Sequence, residues 1–246
     1  MIHISKNKIS PLFCIFLSIA ALLMAMLACE NEKESIDLTE AAPQNLSSMD
    51  FSWKAACCYD FSGKDMRNVL LTGAEISNSN FTNTDLRGAD LSEAQAYDVI
   101  FDGADLRGAK LDRLCFEGSS WKDAKLDSHW QKVLKLFEEK LKPGQDLQGL
   151  NLSNLCMYSY DLQNVNLNGA DLSGTILAWA DLTGADLQNV NLKDARLGTT
   201  NLAKANLTGA IVTEEQLADA ILCKTITPDG QISNEGCDRL STVSTP

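Results

Sequence analysis

Eight cysteines and two histidines are the residues best suited to chemistry in this chain of 246 residues. A thiolate can ligate a metal, attack a substrate or form a disulfide. Cys57 and Cys58 are adjacent, but neighbouring side chains point apart and no histidine accompanies them. We therefore predict no metal site, and expect these two thiols to pack or to form disulfides with the N-terminal region.

The sequence contains few residues that could form a catalytic centre. Beyond the N-terminal segment the remaining histidine is His129, which lies at the foot of a predicted helix and is interpreted as a cap-region residue rather than a general base. No nucleophile motif, phosphate-binding loop or metal-ligand spacing is present. The many aspartates recur at regular intervals, which is typical of a structural repeat rather than of one pocket. The sequence thus predicts no enzyme, no catalytic residue and no cofactor.

The N-terminus has the pattern of an export signal. Lys6 and Lys8 form a short positive region, and the uncharged apolar stretch 11–28 follows. This stretch ends in Met24-Ala25-Met26-Leu27-Ala28-Cys29, which resembles a bacterial lipobox. The resemblance implies that residues 1–28 are a signal peptide and that Cys29 is lipidated on its thiol, becoming the first residue of the mature chain.

Two other interpretations of this segment stay open. One is ordinary cleavage near Ala28 with an incidental Cys29, and the other is an uncleaved helical anchor, for which the apolar run is short. All three place the rest of the chain outside the cytoplasm. The leading one anchors it by lipid to the cell membrane or outer membrane, facing the periplasm or the exterior. The formal net charge of -12 argues against nucleic-acid binding through a basic surface.

An apolar residue recurs at every fifth position over most of the chain. One run covers 46–126 and a second covers 147–222, each without a slip. Five residues rotate a helical side chain by about 140° from its starting face, and an odd step moves a strand residue to the opposite face. The chain must therefore turn a corner every five residues. Glycine often follows two residues after the apolar centre, as at Gly108, where a tight turn can require a positive φ.

The unit Ala-(Asp/Asn)-Leu-x-Gly, seen at 104–108 and 170–174, resembles the pentapeptide-repeat family. The resemblance implies an all-β solenoid, a right-handed quadrilateral β-helix with four pentapeptides in each coil. The chain would form two such blocks, separated by a short amphipathic α-helix.

The columns of the repeat test this four-sided architecture. With twenty residues per coil, one inward column reads Phe61, Phe81, Phe101, Trp121, so the aromatic centres segregate to one edge. One outward column of the second block reads Asp146, Asn166, Asp186, Asn206. Alternation of aspartate with neutral asparagine limits the repulsion between stacked charges while it preserves a hydrogen-bonding ladder.

A break of 21 residues between Leu126 and Leu147 shifts the phase of the repeat by one. Apolar residues at helical spacing predict an amphipathic helix there, with a capping box at Ser128 and a stop at Pro143-Gly144. We interpret the helix as a cap on the last coil of the first block, with recognition of a partner as the alternative. The predicted organisation is signal peptide 1–28, linker 29–44, first block 45–127, helical insert 128–144, second block 145–222, and C-terminal cap and tail 223–246.

The C-terminal segment predicts a second capping box at 213–216 and a turn at 228–230. Cys223 and Cys237 flank this turn, and we predict a disulfide between them. Cys115 and Cys156 precede their apolar centres and point outward on either side of the helical insert. A bridge between them is left open.

Ile176 and Trp179 are outward apolar residues on one side of the same coil. They form a candidate partner patch, and packing beneath the insert helix or the N-terminal segment is the alternative. The leading hypothesis is a non-catalytic envelope lipoprotein, bound to a membrane through its N-terminal lipid. It would act as an interaction or scaffold module for a protein partner through acidic β-helix walls, without direct nucleic-acid binding.

Two other functions are weighed against this hypothesis. The family resemblance supplies the first, because some pentapeptide-repeat proteins resemble duplex DNA in shape and charge and bind type II topoisomerases. The acidity of this chain suits such a role, but the export signal opposes it. The second is an envelope enzyme without a recognisable motif.

Overall fold

The computed structural model describes residues 44–138 and 141–239, apart from the side chain of Glu138. The predicted signal peptide, Cys29 and the end of the tail lie outside these residues, so what was predicted for them stays a prediction. The described chain divides into two compact units. Residues 44–111 and 116–127 form the first unit, and residues 112–115 and 128–239 form the second.

The pentapeptides of the regular coils share one local structure, which residues 104–108 illustrate. The side chain of Leu106 is buried at the centre, and its backbone N–H donates to the carbonyl of Lys125 at 2.8 Å. The N–H of Ala109 donates back to the Leu106 carbonyl at 3.0 Å, which closes a turn, and Gly108 has φ 72. A positive φ at the third residue is the signature of a type II turn. The turn therefore changes the direction of the chain every five residues, so that the next centre, Leu111, again points inward.

Twenty residues form one complete coil in both units. Every isolated bridge among the described residues is parallel and joins residues twenty apart, as between Asp85 and Asp105 in the first unit and between Asp186 and Asn206 in the second. Four pentapeptides therefore make one coil, and the predicted four-sided β-helix is confirmed.

Glycine is required most strictly where a neighbouring coil approaches the turn. Gly103 and Gly108 both have positive φ, at 69 and 72. A Cβ added at Gly103 would overlap with Oδ1 of Asn83, one coil earlier, whereas a Cβ at Gly108 would meet open space. The two glycines therefore separate the cost of the backbone conformation from the cost of close packing.

We expect Gly103→Ala to lower the free energy of unfolding more than Gly108→Ala. Each substitution costs about 1–2 kcal/mol because a Cβ strains the left-handed conformation. Gly103→Ala adds up to about 1 kcal/mol, because the Asn83 side chain must leave its position. Urea unfolding of the two variants beside the wild type measures this difference, and equal losses would contradict the packing argument.

The core of the first unit contains a stack of aromatic rings. Successive ring centroids in the column Phe61, Phe81, Phe101, Trp121 lie 4.8, 5.4 and 4.3 Å apart, with interplanar angles of 27°, 22° and 20°. The three phenylalanines are fully buried. The predicted aromatic column is thus a continuous stack, one ring per coil.

Buried hydroxyls form a second regular feature, which the sequence analysis missed. Two residues before a centre, Thr84 donates to the carbonyl of Phe61 at 2.8 Å and Thr200 donates to the carbonyl of Leu177 at 2.8 Å. Ser79 and Thr225 make the equivalent bond, at 2.9 and 2.6 Å. A small polar residue is therefore tolerated in this inward position because its hydroxyl is satisfied.

Regular elements are few among the described residues. They are α1 (Ser128–Glu138), α2 (Glu214–Leu217), β1 (Thr225–Ile226) and β2 (Ile232–Ser233). Strands β1 and β2 pair in an antiparallel manner after the last coil of the second unit. Helix α2 has the predicted capping box, in which Thr213 accepts from the N–H of Gln216 and the Gln216 side chain accepts from the N–H of Thr213. No helix within the described ranges is long and apolar enough to span a bilayer.

Helix α1 confirms the predicted amphipathic helix in the insert. It begins at Ser128 and ends at Glu138, before the predicted stop at Pro143-Gly144. Its Val133 is 4% exposed and packs in the core of the second unit with Leu147 and Leu152. The predicted cap on the last coil of the first block stays a prediction. Packing against the first inward leucines of the second run is a contact that the sequence analysis did not predict.

Residues 112–115 of the predicted first block, 45–127, group with the second unit, although the apolar period passes through them without a slip. Contacts with residues 41 or more positions away, described next, account for this grouping.

Candidate interaction surfaces

Outward aspartates and asparagines bond to their own turns. Oδ1 of Asp146 accepts the N–H of Gln148 at 3.2 Å, and Oδ1 of Asn166 accepts the N–H of Asn168 at 3.1 Å. This Asx turn satisfies a backbone donor that the corner would otherwise expose. It explains in physical terms why the residue before each centre is so often Asp or Asn.

The predicted alternating column of the second unit is a hydrogen-bonded ladder at its first step. Nδ2 of Asn166 donates to Oδ1 of Asp146 at 3.0 Å across one coil. On a second column of the same unit, Nδ2 of Asn191 donates to Oδ1 of Asp171 at 2.9 Å. Asparagine thus supplies the donor that a second carboxylate lacks.

The first unit carries an Asp/Arg ladder that the sequence analysis missed. Its members are the pairs Asp65–Arg67, Asp85–Arg87 and Asp105–Arg107. In each pair Nε and Nη2 of the arginine donate to the two carboxylate oxygens, at 2.6–2.8 Å. The Asp-x-Arg triplet recurring every twenty residues was the signal in the sequence. Because the arginines are about half exposed, this wall presents alternating charge of both signs rather than uniform acidity.

The Asp/Arg ladder controls the ionisation of its carboxylates. The side-chain hydrogen bond from Arg67 lowers the pKa of Asp65 to about 2. An unfolded aspartate has a pKa of about 3.9. The pair therefore stabilises the folded state above that pH, and this contribution is lost as the pH falls from about 4 towards 2.

Replacement of Arg67 by alanine should raise the pKa of Asp65 towards about 3.9, because the carboxylate loses its two charge-assisted donors. The measurement is a pH titration of the Asp65 carboxyl carbon by nuclear magnetic resonance. Arg107→Ala is the matched control, since Arg107 bonds to Asp105 two coils away. An unchanged Asp65 titration in the Arg67 variant would refute the assignment.

Two disulfides lie in the second unit. The predicted pair Cys223 and Cys237 is bonded at an S–S distance of 2.01 Å, and the pair left open, Cys115 and Cys156, is bonded at 2.03 Å. Of the adjacent pair, Cys57 is disulfide-bonded and Cys58 is exposed. Within the described ranges no three His, Cys, Asp or Glu side chains are grouped to hold a metal ion.

Residues 112–115 are held in the second unit by more than their disulfide. The N–H of Arg113 donates to the carbonyl of Asn154 at 2.6 Å, and Nε of Arg113 donates to the carbonyl of Gly174 at 2.6 Å. A Cβ at Gly174 would lie 3.1 Å from Nη2 of the same arginine. Arg113 therefore bonds to the same turn position, Asn154 and Gly174, on two successive coils, which accounts for the grouping of this segment with the second unit.

The sequence-predicted partner patch is present but uneven. Trp179 is 57% exposed and has φ 63, the turn conformation of the repeat. Ile176 lies on the adjoining side of the coil, bridged to Cys156 and Arg196, and is only half-buried rather than prominent. The exposed surface here is therefore mainly the tryptophan ring.

The first unit also has a group of exposed apolar residues, which we call the N-terminal apolar patch. It consists of Met49, Trp53 and Leu70, exposed by 41%, 71% and 42%. The sequence analysis did not identify this patch. Leu70 occupies an outward ladder position between Asp50 and Asp90. A leucine at a position that is usually Asp or Asn was the signal in the sequence.

The structure describes His129 and the buried carboxyl of Glu75 individually. His129 is in the first turn of α1, where its ring meets the Trp130 ring edge at 5.6 Å. Glu75 is 9% exposed, and burial raises the pKa of its carboxyl. Its Oε1 accepts the N–H of Ser77 at 3.0 Å, so it repeats the turn contact of the outward aspartates.

Comparison with known proteins identifies the repeat. A family model described as Pentapeptide repeats matches eight copies, at residues 60–88, 89–120 and 161–198. No curated protein matches the chain.

Among solved structures, the chain is similar to HetL, a pentapeptide repeat protein involved in heterocyst differentiation regulation from the cyanobacterium Nostoc sp. strain PCC 7120. The identity is 26%, over 88% of this chain and 100% of that chain, with a TM-score of 0.24. It is also similar to QnrB1, a plasmid-mediated fluoroquinolone resistance protein, at 17% identity over 68% and 79% of the two chains, with a TM-score of 0.27.

A third similar structure is a pentapeptide repeat protein from the Arabidopsis thaliana thylakoid lumen, at 20% identity over 82% and 92% of the two chains, with a TM-score of 0.22. These TM-scores are low, so the family of this chain is identified from the matched repeats and from the coil geometry. Eight matched copies, with twenty residues per coil in both units, place this chain in the pentapeptide-repeat family, whose fold is the right-handed quadrilateral β-helix.

Proposed function

We propose that this protein is a non-catalytic lipoprotein of the cell envelope that presents its β-helix walls to a protein partner. The observation that supports this most is the local engagement of the outward polar groups. Asp65 bonds to Arg67, and Asp146 bonds to its own turn and to Asn166. Polar groups satisfied in this way make a rigid display surface, whereas a catalytic site needs groups directed at a substrate.

Trp179 supports a protein partner on the second unit. Tryptophan is enriched among the interface residues that contribute most of the binding free energy, and this ring is 57% exposed. Its positive φ is the turn conformation of the repeat, which places the ring at a corner of the coil.

The Asp/Arg ladder weighs against DNA mimicry on its own wall. A mimic of duplex DNA needs uniform negative charge like that of stacked phosphates. Here Asp65, Asp85 and Asp105 are each paired with an arginine. We therefore keep the scaffold role as the proposed function and treat topoisomerase binding as the outcome that would replace it.

The anchor is tested with Cys29→Ser in a bacterial host. Wild-type protein should partition into the membrane and the detergent phase, and its processing should stop when the lipoprotein signal peptidase is inhibited. The Cys29→Ser variant should lose both properties. A variant that remains membrane-bound and inhibitor-insensitive would reject lipidation.

The partner is tested by photocrosslinking in cells. A photoreactive residue at Trp179 should capture one reproducible protein, while the same residue at Lys193, an exposed site on a different corner of the second unit, should not. Equal capture at both sites, or none at either, would count against the scaffold role. Protection of gyrase by the leaderless protein would instead favour the DNA mimic.

A further inference from the structure

We propose that the N-terminal apolar patch docks onto the surface of the membrane that holds the lipid anchor, so that the first unit lies against the bilayer. This inference deepens the proposed function and rests on its lipid anchor. It concerns a different surface from the Trp179 patch, which faces the protein partner.

The patch is a coherent surface. Asp50 and Leu70 are bridged as neighbours, and the N–H of Leu70 donates to the carbonyl of Met49 at 2.9 Å. The N–H of Trp53 donates to the carbonyl of Thr72 at 2.9 Å, two residues beyond Leu70. Leu70 and Trp53 therefore lie on one side of the coil and its corner, and Met49 occupies the adjacent position two residues before the centre Phe51.

Trp53 is the most informative member of the patch. Its φ of 60 is the turn conformation of the repeat, which places the ring at the corner of the coil. The ring lies against Gly73, where any Cβ would overlap with it, yet it remains 71% exposed. Contacts among the described residues thus leave most of the apolar ring exposed. Tryptophan favours the membrane–water interface, because its ring is apolar and its N–H can stay hydrated.

The side that carries the patch is only weakly acidic. Lys110 pairs with Asp90 at 3.0 Å, and Nζ of Lys54 donates to the carbonyl of Asp50 at 3.5 Å. Two lysines offset two aspartates on this side and leave Glu93, whereas the chain has a formal net charge of -12. Anionic lipid headgroups would therefore repel this side less than a wall of unpaired carboxylates.

The N-terminal apolar patch lies close in the sequence to the proposed lipid anchor, which favours the bilayer as the surface that it contacts. Cys29 and Gln44, the first described residue, are 15 positions apart, a segment that spans at most about 50 Å when extended. The patch begins at Met49, so the anchor brings this end of the first unit closest to the lipid. Tethering also converts docking into an intramolecular event, for which a small apolar patch is sufficient.

The test reconstitutes the lipidated full-length protein in vesicles of phosphatidylcholine and phosphatidylglycerol, with bromine on the phosphatidylcholine acyl chains. Bromine quenches tryptophan fluorescence on contact. We expect quenching in the wild type, its loss in Trp53→Phe, and its retention in the matched control Trp179→Phe. Equal quenching in the wild type and Trp53→Phe would overturn the proposal.

A second variant tests docking without removing the probe. Leu70→Asn places at this ladder position the residue that already occupies it at Asn80 and Asn151, so the fold is retained. Loss of the partly exposed leucine should lower the docking constant about fivefold, measured as reduced quenching of Trp53. Unchanged quenching would mean that the side does not face the lipid.

Flotation separates this proposal from the anchor on which it rests. Wild-type protein that floats with vesicles, while Cys29→Ser does not, supports the anchor whatever the quenching result. Flotation without quenching at Trp53 rejects docking alone. Wild-type protein that does not float rejects both the anchor and the docking.

Discussion

Replacement of Phe81 by alanine should lower the free energy of unfolding by about 3–5 kcal/mol. Phe81 is fully buried, and its ring lies between Phe61 and Phe101 at centroid distances of 4.8 and 5.4 Å. Its removal leaves a cavity between two stacked rings, which backbone bridges on both sides prevent from collapsing. The measurement is urea unfolding followed by circular dichroism.

Two variants control this result. Phe81→Leu keeps most of the buried apolar volume and should cost clearly less than Phe81→Ala. Trp179→Ala removes a ring that is largely exposed, so the free energy of unfolding should change by less than about 0.5 kcal/mol. If Phe81→Ala cost no more than Trp179→Ala, the aromatic column would not be a stabilising core.

Removal of the Cys115–Cys156 disulfide by a double replacement with serine should cost about 4 kcal/mol under oxidising conditions. The bond joins residues 41 apart, and in the chain-entropy model a longer closed loop restricts the unfolded chain more. It also fixes residues 112–115, which are held otherwise by the two Arg113 hydrogen bonds. Urea unfolding without reductant measures the loss, and peptide mapping under non-reducing conditions identifies the bond.

The second disulfide provides the matched comparison. Cys223 and Cys237 are 14 residues apart, so their double replacement with serine should cost about 3 kcal/mol, slightly less than that of the longer loop. Excess dithiothreitol should abolish the difference between each variant and the wild type. A Cys115–Cys156 variant as stable as oxidised wild type would contradict the argument.

These disulfides also bear on where the protein works. Structural disulfides form and persist in oxidising compartments, and they are rare in a reducing cytosol. A chain whose second unit depends on two of them is suited to the exported location that we propose. Agreement between the leader pattern and this cysteine usage supports export from two independent directions.

The repeat itself was readable from the sequence, because each pentapeptide determines its own turn. A buried centre, an Asp or Asn before it and a glycine two residues after it all act within five residues, as Leu106, Asp105 and Gly108 do. The step of five excludes a regular helix or strand. The segregated aromatic column in the sequence predicts a coil of twenty residues. Trp179 and the pair Cys223–Cys237 were found in the same way, from their place in a local pattern.

Tertiary structure decided what depends on residues far apart in the chain. The Cys115–Cys156 bond, the grouping of residues 112–115 with the second unit and the packing of Val133 into that unit depend on how the insert returns the chain. The arginine geometry of the Asp/Arg ladder depends on side chains brought together by folding, although its spacing was visible. A period describes neighbours along the chain and along a column. It cannot specify how residues 112–115 are held, because their disulfide and hydrogen bonds join residues that are 41 or more positions apart.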